Sequence, residues 1–277
     1  MIEVRHPGPF ATVQDAGRPG YAALGVPRAG AFDHTAYTLA NRLVGNHPHA
    51  AAIELTLGGM VLQLADAATV ALTGARCGGI DWGTAVTLEA GATLRLATPS
   101  EGLRSYLAVR GGIDVPAELG SRSTDTLSGL GPPPLRAGDR LPVGQEWNSD
   151  VSGAAASSPS IRRELRIIPG PRDDWFAPDA LARLTHTEWT VRPESDRIGI
   201  RLDGPRLERT RGGELPSEPT LPGALQVPPD GRPILFGPDA PVTGGYPVIA
   251  VVHHDDLDAA AQLRPGDALR FRPARRG

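Results

Sequence analysis

Lysine is absent from all 277 positions, so the 28 basic residues are all arginine. A guanidinium stays charged and does not act as a nucleophile or Schiff base. A phosphate-loop lysine, a catalytic lysine and a biotin-carrying lysine are therefore excluded from this chain. Cysteine is nearly absent too: Cys77 stands alone, which rules out an internal disulfide or a multi-cysteine zinc site. No apolar run approaches membrane-spanning length. The opening residues Met1-Ile2-Glu3-Val4-Arg5-His6-Pro7 lack the charged start and apolar core of a signal peptide, and the expected location is the cytoplasm. A net charge of −3 supplies too weak a basic field for a nucleic-acid surface.

What is abundant points to strands and turns. With 34 glycines and 28 prolines, long helices have little room. Short alternating apolar runs at 60–64, 69–72, 93–96, 106–109, 165–168, 234–236 and 248–252 predict strands. A helix is predicted over 34–43, with Asp33 as N-cap and Gly45 as stop, and a weaker one over 179–184. The Ser/Ala/Gly-rich stretch 148–160 reads as a linker between a first lobe, 1–147, and a second, 161–277. Leu135-Arg136-Ala137-Gly138-Asp139-Arg140-Leu141 is echoed by Leu263-Arg264-Pro265-Gly266-Asp267-Ala268-Leu269, and more faintly by Glu89-Ala90-Gly91-Ala92-Thr93-Leu94. Each reads as a turn feeding a strand, which predicts a duplicated β-barrel lobe.

Two Gly/Pro-rich segments, 12–46 and 217–247, are expected to meet at one cleft. In the first, Gln14, Asp15 and Arg18 supply an amide, an acceptor and a forked cation, a set suited to a carboxylate or lactam. The plainer alternative is an Asp–Arg pair that pins the loop. The second contains Glu218, Gln226 and Thr243-Gly244-Gly245-Tyr246. Its paired glycines either admit a ligand close to backbone N–H groups or mark a tight turn.

These segments, with Leu72-Thr73-Gly74-Ala75, Ala108-Val109-Arg110-Gly111-Gly112-Ile113-Asp114-Val115-Pro116 and Leu119-Gly120-Ser121-Arg122-Ser123, carry a resemblance over nearly the whole chain. The sequence resembles the family variously called the 5-oxoprolinase C-type subunit, allophanate hydrolase subunit 2, or the biotin-dependent carboxyltransferase domain of urea carboxylase. The resemblance implies a mainly β protein of two cyclophilin-like barrel lobes with few short helices. It also implies a B-type partner, related to allophanate hydrolase subunit 1, and a further A-type partner. Together these carry out the ATP-dependent opening of 5-oxoproline to glutamate, an amide hydrolysis. In the urea carboxylase branch the equivalent region transfers a carboxyl group from biotin to urea, and a third branch binds and restrains its partner without turnover. The reading taken forward is the oxoprolinase component, with ATP used by the complex, biotin only in the carboxyltransferase alternative, and no cofactor held by this chain.

On that reading Arg18 or Arg42 neutralises the substrate carboxylate, and Gln14, Gln226 and Thr243 orient the lactam amide. Asp15 or Glu218 is the acid/base group, Gly244 and Gly245 offer backbone donors to an oxyanion, and Tyr246 adds a flat face. The sequence departs from the family at Asp239-Ala240-Pro241-Val242, where a more polar run is usual, at Val248, often lysine, and at Pro219. No metal site is expected. His253 and His254 are adjacent, and neighbours on a strand point to opposite faces. Cys77 is expected to be a small packed residue.

Overall fold

The computed structural model describes residues 1–147, 150–151, 162–213 and 215–274, so most of the expected linker lies outside them. The chain forms two compact units. Unit 1 comprises Met1–Arg18, Ala29–Asp125 and Gly129–Ile161; unit 2 comprises Pro19–Arg28, Thr126–Ser128 and Arg162–Gly277.

In unit 1 the strands are β1 (Ile2–His6), β2 (Phe10–Gln14), β3 (Ala52–Thr56), β4 (Val61–Leu64), β5 (Ala68–Gly74), β6 (Ala85–Leu88), β7 (Thr93–Arg95), β8 (Arg104–Val109) and β9 (Arg140–Leu141), with helix α1 (His34–Leu43). They form a four-stranded sheet, β7-β4-β1-β9, and a five-stranded sheet, β2-β3-β8-β5-β6. The expected barrel here is thus two sheets whose inward residues share one core. Val4 and Leu62 come from the first sheet, and Val13, Ile53, Leu72, Leu107 and Val109 from the second.

Strand β8 shows why its sequence lacks polar alternation. Leu107 and Val109 enter that core, whereas Tyr106 and Ala108 face α1 through Ala36, Tyr37 and Ala40. Both faces are covered, and every residue of β8 is buried. Helix α1 begins where Asp33 Oδ1 accepts from the Ala36 N–H at 2.9 Å and stops at Gly45, which has φ 69°.

Unit 2 contains β10 (Glu164–Pro169), α2 (Ala180–His186), β11 (Glu188–Val191), β12 (Gly199–Asp203), β13 (Glu218–Pro219), β14 (Ala224–Gln226), β15 (Ile234–Phe236), β16 (Thr243–Gly244), β17 (Val248–Val252), α3 (Leu257–Ala261) and β18 (Ala268–Pro273). Seven of these strands close a barrel, β10-β17-β14-β15-β12-β11-β18, sealed by the parallel pairing of β10 with β18. Alternation fills it: in β18 Leu269 and Phe271 are buried while Arg270 and Arg272 face outward. A separate two-stranded ribbon, β13-β16, lies outside the barrel ladder.

The internal repeat is the same turn in both units. The Arg136 N–H donates to Asp139 Oδ2 at 2.7 Å, and the Arg264 N–H to Asp267 Oδ2 at 2.9 Å. Gly138 and Gly266 sit at φ 93° and 87°. Each turn then feeds a strand, β9 or β18. Helix α3 leaves no visible pattern in the sequence, because its apolar face is little more than Ala259, Ala260 and Ala261.

Candidate functional site

Unit 1 places Gln14 at the end of β2 and Asp15 one residue beyond. Gln14 is fully buried, and its amide donates to Thr12 Oγ1 and the Thr124 carbonyl, both at 3.0 Å. Its Oε1 has no hydrogen-bond partner among the described residues.

The Asp15 carboxylate is surrounded by donors. Oδ1 accepts from the Gly17 N–H at 2.8 Å and from the Ser121 and Ser123 hydroxyls at 2.6 Å each; Oδ2 accepts from the Arg122 N–H at 2.6 Å. Three donors converge on Oδ1 and one on Oδ2, all from Gly17 and residues 121–123. The structure thus gives Asp15 the task of tying the 15–18 turn to the 121–123 segment. The plainer alternative, an Asp15–Arg18 pair that pins the loop, gives way to serines and backbone as the pinning partners.

Arg18 is buried, and its Nη2 donates to the Ser123 carbonyl. Asp125 Oδ2 lies 4.0 Å from its Nη1, beyond hydrogen-bond reach. Nε and Nη1 make no hydrogen bond among the described residues. Arg42 is far less confined, exposed in the last turn of α1. Unit 1 therefore brings Gln14, Asp15 and Arg18 together around 121–125 and leaves Arg42 on the helix surface.

Beside α1 lies a cluster that sequence reasoning missed. Glu54 Oε2 accepts from the Tyr106 hydroxyl at 2.7 Å and from the Phe32 N–H at 3.0 Å, and the Asp33 N–H donates to the Tyr106 oxygen at 2.7 Å. Burial, then the negative charges of Glu54 and Asp33, push the Tyr106 phenol well above its usual value. It stays protonated and holds Glu54 in place. The available signal is Glu54 itself, a carboxylate within an otherwise apolar strand.

In unit 2, Glu218 pairs with Gly244 and Pro219 with Thr243 in the β13-β16 ribbon. Gln226 ends β14 at a register shift, nearly buried, and its amide donates to the Tyr246 carbonyl at 3.0 Å. A Cβ on Gly244 would stand 2.5 Å from Gln226 Nε2. Neither Gly244 nor Gly245 has positive φ, so Gly244 is required for space and not for a turn. Glu218, Gln226, Thr243, Gly244, Gly245 and Tyr246 thus form one local group.

Arg172, not expected from the sequence, completes it. Arg172 Nε is 3.0 Å from both Glu218 oxygens, with Nη2 closer still to Oε1. Those hydrogen bonds hold the Glu218 carboxyl below its usual range. A group kept ionised by a partner is poorly matched to proton transfer near neutral pH. Deeper down, Arg197 Nε and Nη2 donate to Asp239 at 2.9 and 2.8 Å, and the Thr126 N–H and hydroxyl donate to Asp239 at 3.0 and 2.7 Å. Breaking a buried pair of this kind typically costs about 3–5 kcal/mol. Asp239, the start of an atypical run in the sequence, is thus a structural anchor.

The tempting features resolve into local structure. The Asp255 N–H donates to His253 Nδ1 at 3.4 Å, and Asp256 binds the Arg166 guanidinium and N–H. Cys77 is buried with Sγ 3.2 Å from Ser105 Oγ. No helix among the described residues is long and apolar enough to cross a membrane.

This arrangement has close parallels. The C-type subunit of 5-oxoprolinase from Escherichia coli K12 is 38% identical over 280 residues, covering 98% of this chain and 90% of that protein. Its counterpart in Haemophilus influenzae is 35% identical with the same coverage. The urea amidolyase of Lachancea kluyveri is 35% identical over 98% of this chain, which spans only 17% of that protein. The crystal structure of Kluyveromyces lactis urea amidolyase superposes with a TM-score of 0.92 at 31% identity, over 98% of this chain and 18% of that one. A family model described as carboxyltransferase domain, subdomain A and B, matches residues 24–273, taking in the barrel, the ribbon and the Asp15-binding segment; to that carboxyltransferase-domain family this chain belongs.

Proposed function

We propose that this chain is the C-type component of an ATP-dependent 5-oxoprolinase complex that opens the lactam of 5-oxoproline to glutamate. The observation that carries the reading is similarity along nine-tenths of the bacterial C-type proteins, against under a fifth of the yeast enzyme. Proteins of the B and A types are the partners, and ATP is consumed by the complex; without lysine this chain offers no phosphate-loop cation. Gln14 and Arg18 in unit 1 retain buried polar atoms without hydrogen-bond partners among the described residues, which supports them as ligand-facing groups. In unit 2 the ribbon carrying Thr243, Gly244, Gly245 and Tyr246 over Gln226 supplies hydroxyl, amide and backbone groups for a lactam.

A second reading, transfer of a carboxyl group from biotin to an amide, is favoured by the family description and by the fit to urea amidolyase. The biotin would be carried elsewhere, since no lysine here can bear it. Co-expression with the B-type and A-type partners, followed by assays for glutamate from 5-oxoproline and for carboxylation with free biotin, separates the two. Chain-dependent glutamate formation is expected. Biotin-dependent carboxylation without it would establish the second reading, and a stable complex with neither activity would show a restraining role.

A further inference from the structure

Among the forked arginine–carboxylate pairs of unit 2, two are of opposite character. Arg197 and Asp239 are 2% and 0% exposed and are locked further by Thr126. Arg172 and Glu218 are 38% and 28% exposed, so water and small solutes reach both partners. An exposed pair gains little over its solvated state and exchanges readily with another anion, whereas a buried one does not.

The Arg172 fork is nonetheless well placed. Its own backbone N–H donates to the Val248 carbonyl at 3.2 Å, directly after the Tyr246-Pro247 stretch, and Glu218 lies opposite Gly244 in the ribbon. The other carboxylate near it, Asp174, is engaged by Arg211 at 2.8 Å. Glu218 is therefore the carboxylate that fills the fork, and a guanidinium presents the same parallel N–H groups to any carboxylate of that size.

We propose that Arg172 is the carboxylate-binding group beside the Thr243–Gly244 ribbon, and that Glu218 is its resting occupant, displaced when a small carboxylate ligand enters. Arg172 thereby joins Arg18 and Arg42 as a cation for the substrate carboxylate. The inference rests on the oxoprolinase reading only for the identity of that carboxylate. Glu218 then acts as an internal competitor that keeps the cation neutralised between ligands, and not as the acid/base group.

The test follows the Arg172 Nε–H resonance of the full chain by NMR, identified by its loss in Arg172→Gln. Acetate and 5-oxoproline are titrated at constant ionic strength. A saturable shift is expected, with half-saturation at least threefold lower in Glu218→Gln and an intermediate value in Glu218→Asp, whose shorter side chain reaches the fork less well. Glu218→Asp carries the comparison if Glu218→Gln fails to fold. No saturable shift, or a half-saturation unchanged or raised when Glu218 is altered, overturns the proposal. If acetate behaves as expected but 5-oxoproline binds no more tightly than acetate, the carboxylate site stands and the oxoproline reading fails.

Discussion

At the residue scale, the two carboxylates singled out from sequence are both held by donors from the protein itself. Asp15 organises a turn through four donors. Hydrogen bonds to a charged acceptor contribute roughly 1.5–3 kcal/mol each, not additively. Asp15→Asn is therefore expected to lower unfolding free energy by about 3 kcal/mol, read as a fall in the urea midpoint. An unchanged midpoint with lost turnover would return Asp15 to the chemistry. Asp256 provides a pH test. Burial alone would raise its pKa, but hydrogen bonds from the Arg166 side chain and backbone reverse this and leave it lowered. A depressed folded pKa contributes stability above the ordinary carboxylate value of about 3.9, and that contribution is lost as pH falls through the folded value. The urea midpoint of the native chain should thus drop below pH 4 more steeply than that of Asp256→Asn. Equal slopes would show that Asp256 does not contribute. The sequence marks these polar residues as important but does not disclose their partners. Asp15 and Ser121 are over a hundred positions apart, and nothing local in either predicts the bond.

Among elements, the legible ones are those with strong local signals. Helix α1 has a cap, a stop glycine and an apolar stripe, and the strand runs alternate or are β-branched. The repeat is legible because a turn that needs a left-handed glycine and an aspartate acceptor leaves few sequences to choose from. Closure is not: the barrel of unit 2 depends on β10 meeting β18 in parallel, a pairing across a hundred residues. The ribbon β13-β16 is legible only as Gly-Gly beside a hydroxyl, and its real constraint is the Gln226 amide beneath Gly244. Gly244→Ala should displace that amide from the Tyr246 carbonyl, cost about 1–3 kcal/mol through overpacking, and raise KM for the lactam substrate. Unchanged KM with intact stability would mean that the ribbon lies away from the ligand.

At the scale of the whole molecule, the family relation links this chain to two enzyme systems that share a fold, and fold kinship alone does not choose between them. Extent of similarity favours the bacterial C-type proteins, and the all-arginine composition leaves this chain without a lysine to carry biotin or to form a phosphate loop. The lactam chemistry proposed for the site presumes that an oxoprolinase complex needs this chain. Titrating the chain into its B-type and A-type partners, while measuring ATP-dependent glutamate release from 5-oxoproline, reads that need without intermediaries. Release should be near zero without the chain and rise to a plateau at a fixed ratio of components. Release that proceeds equally well without it, or a fully assembled complex that forms no glutamate, would refute the oxoprolinase assignment.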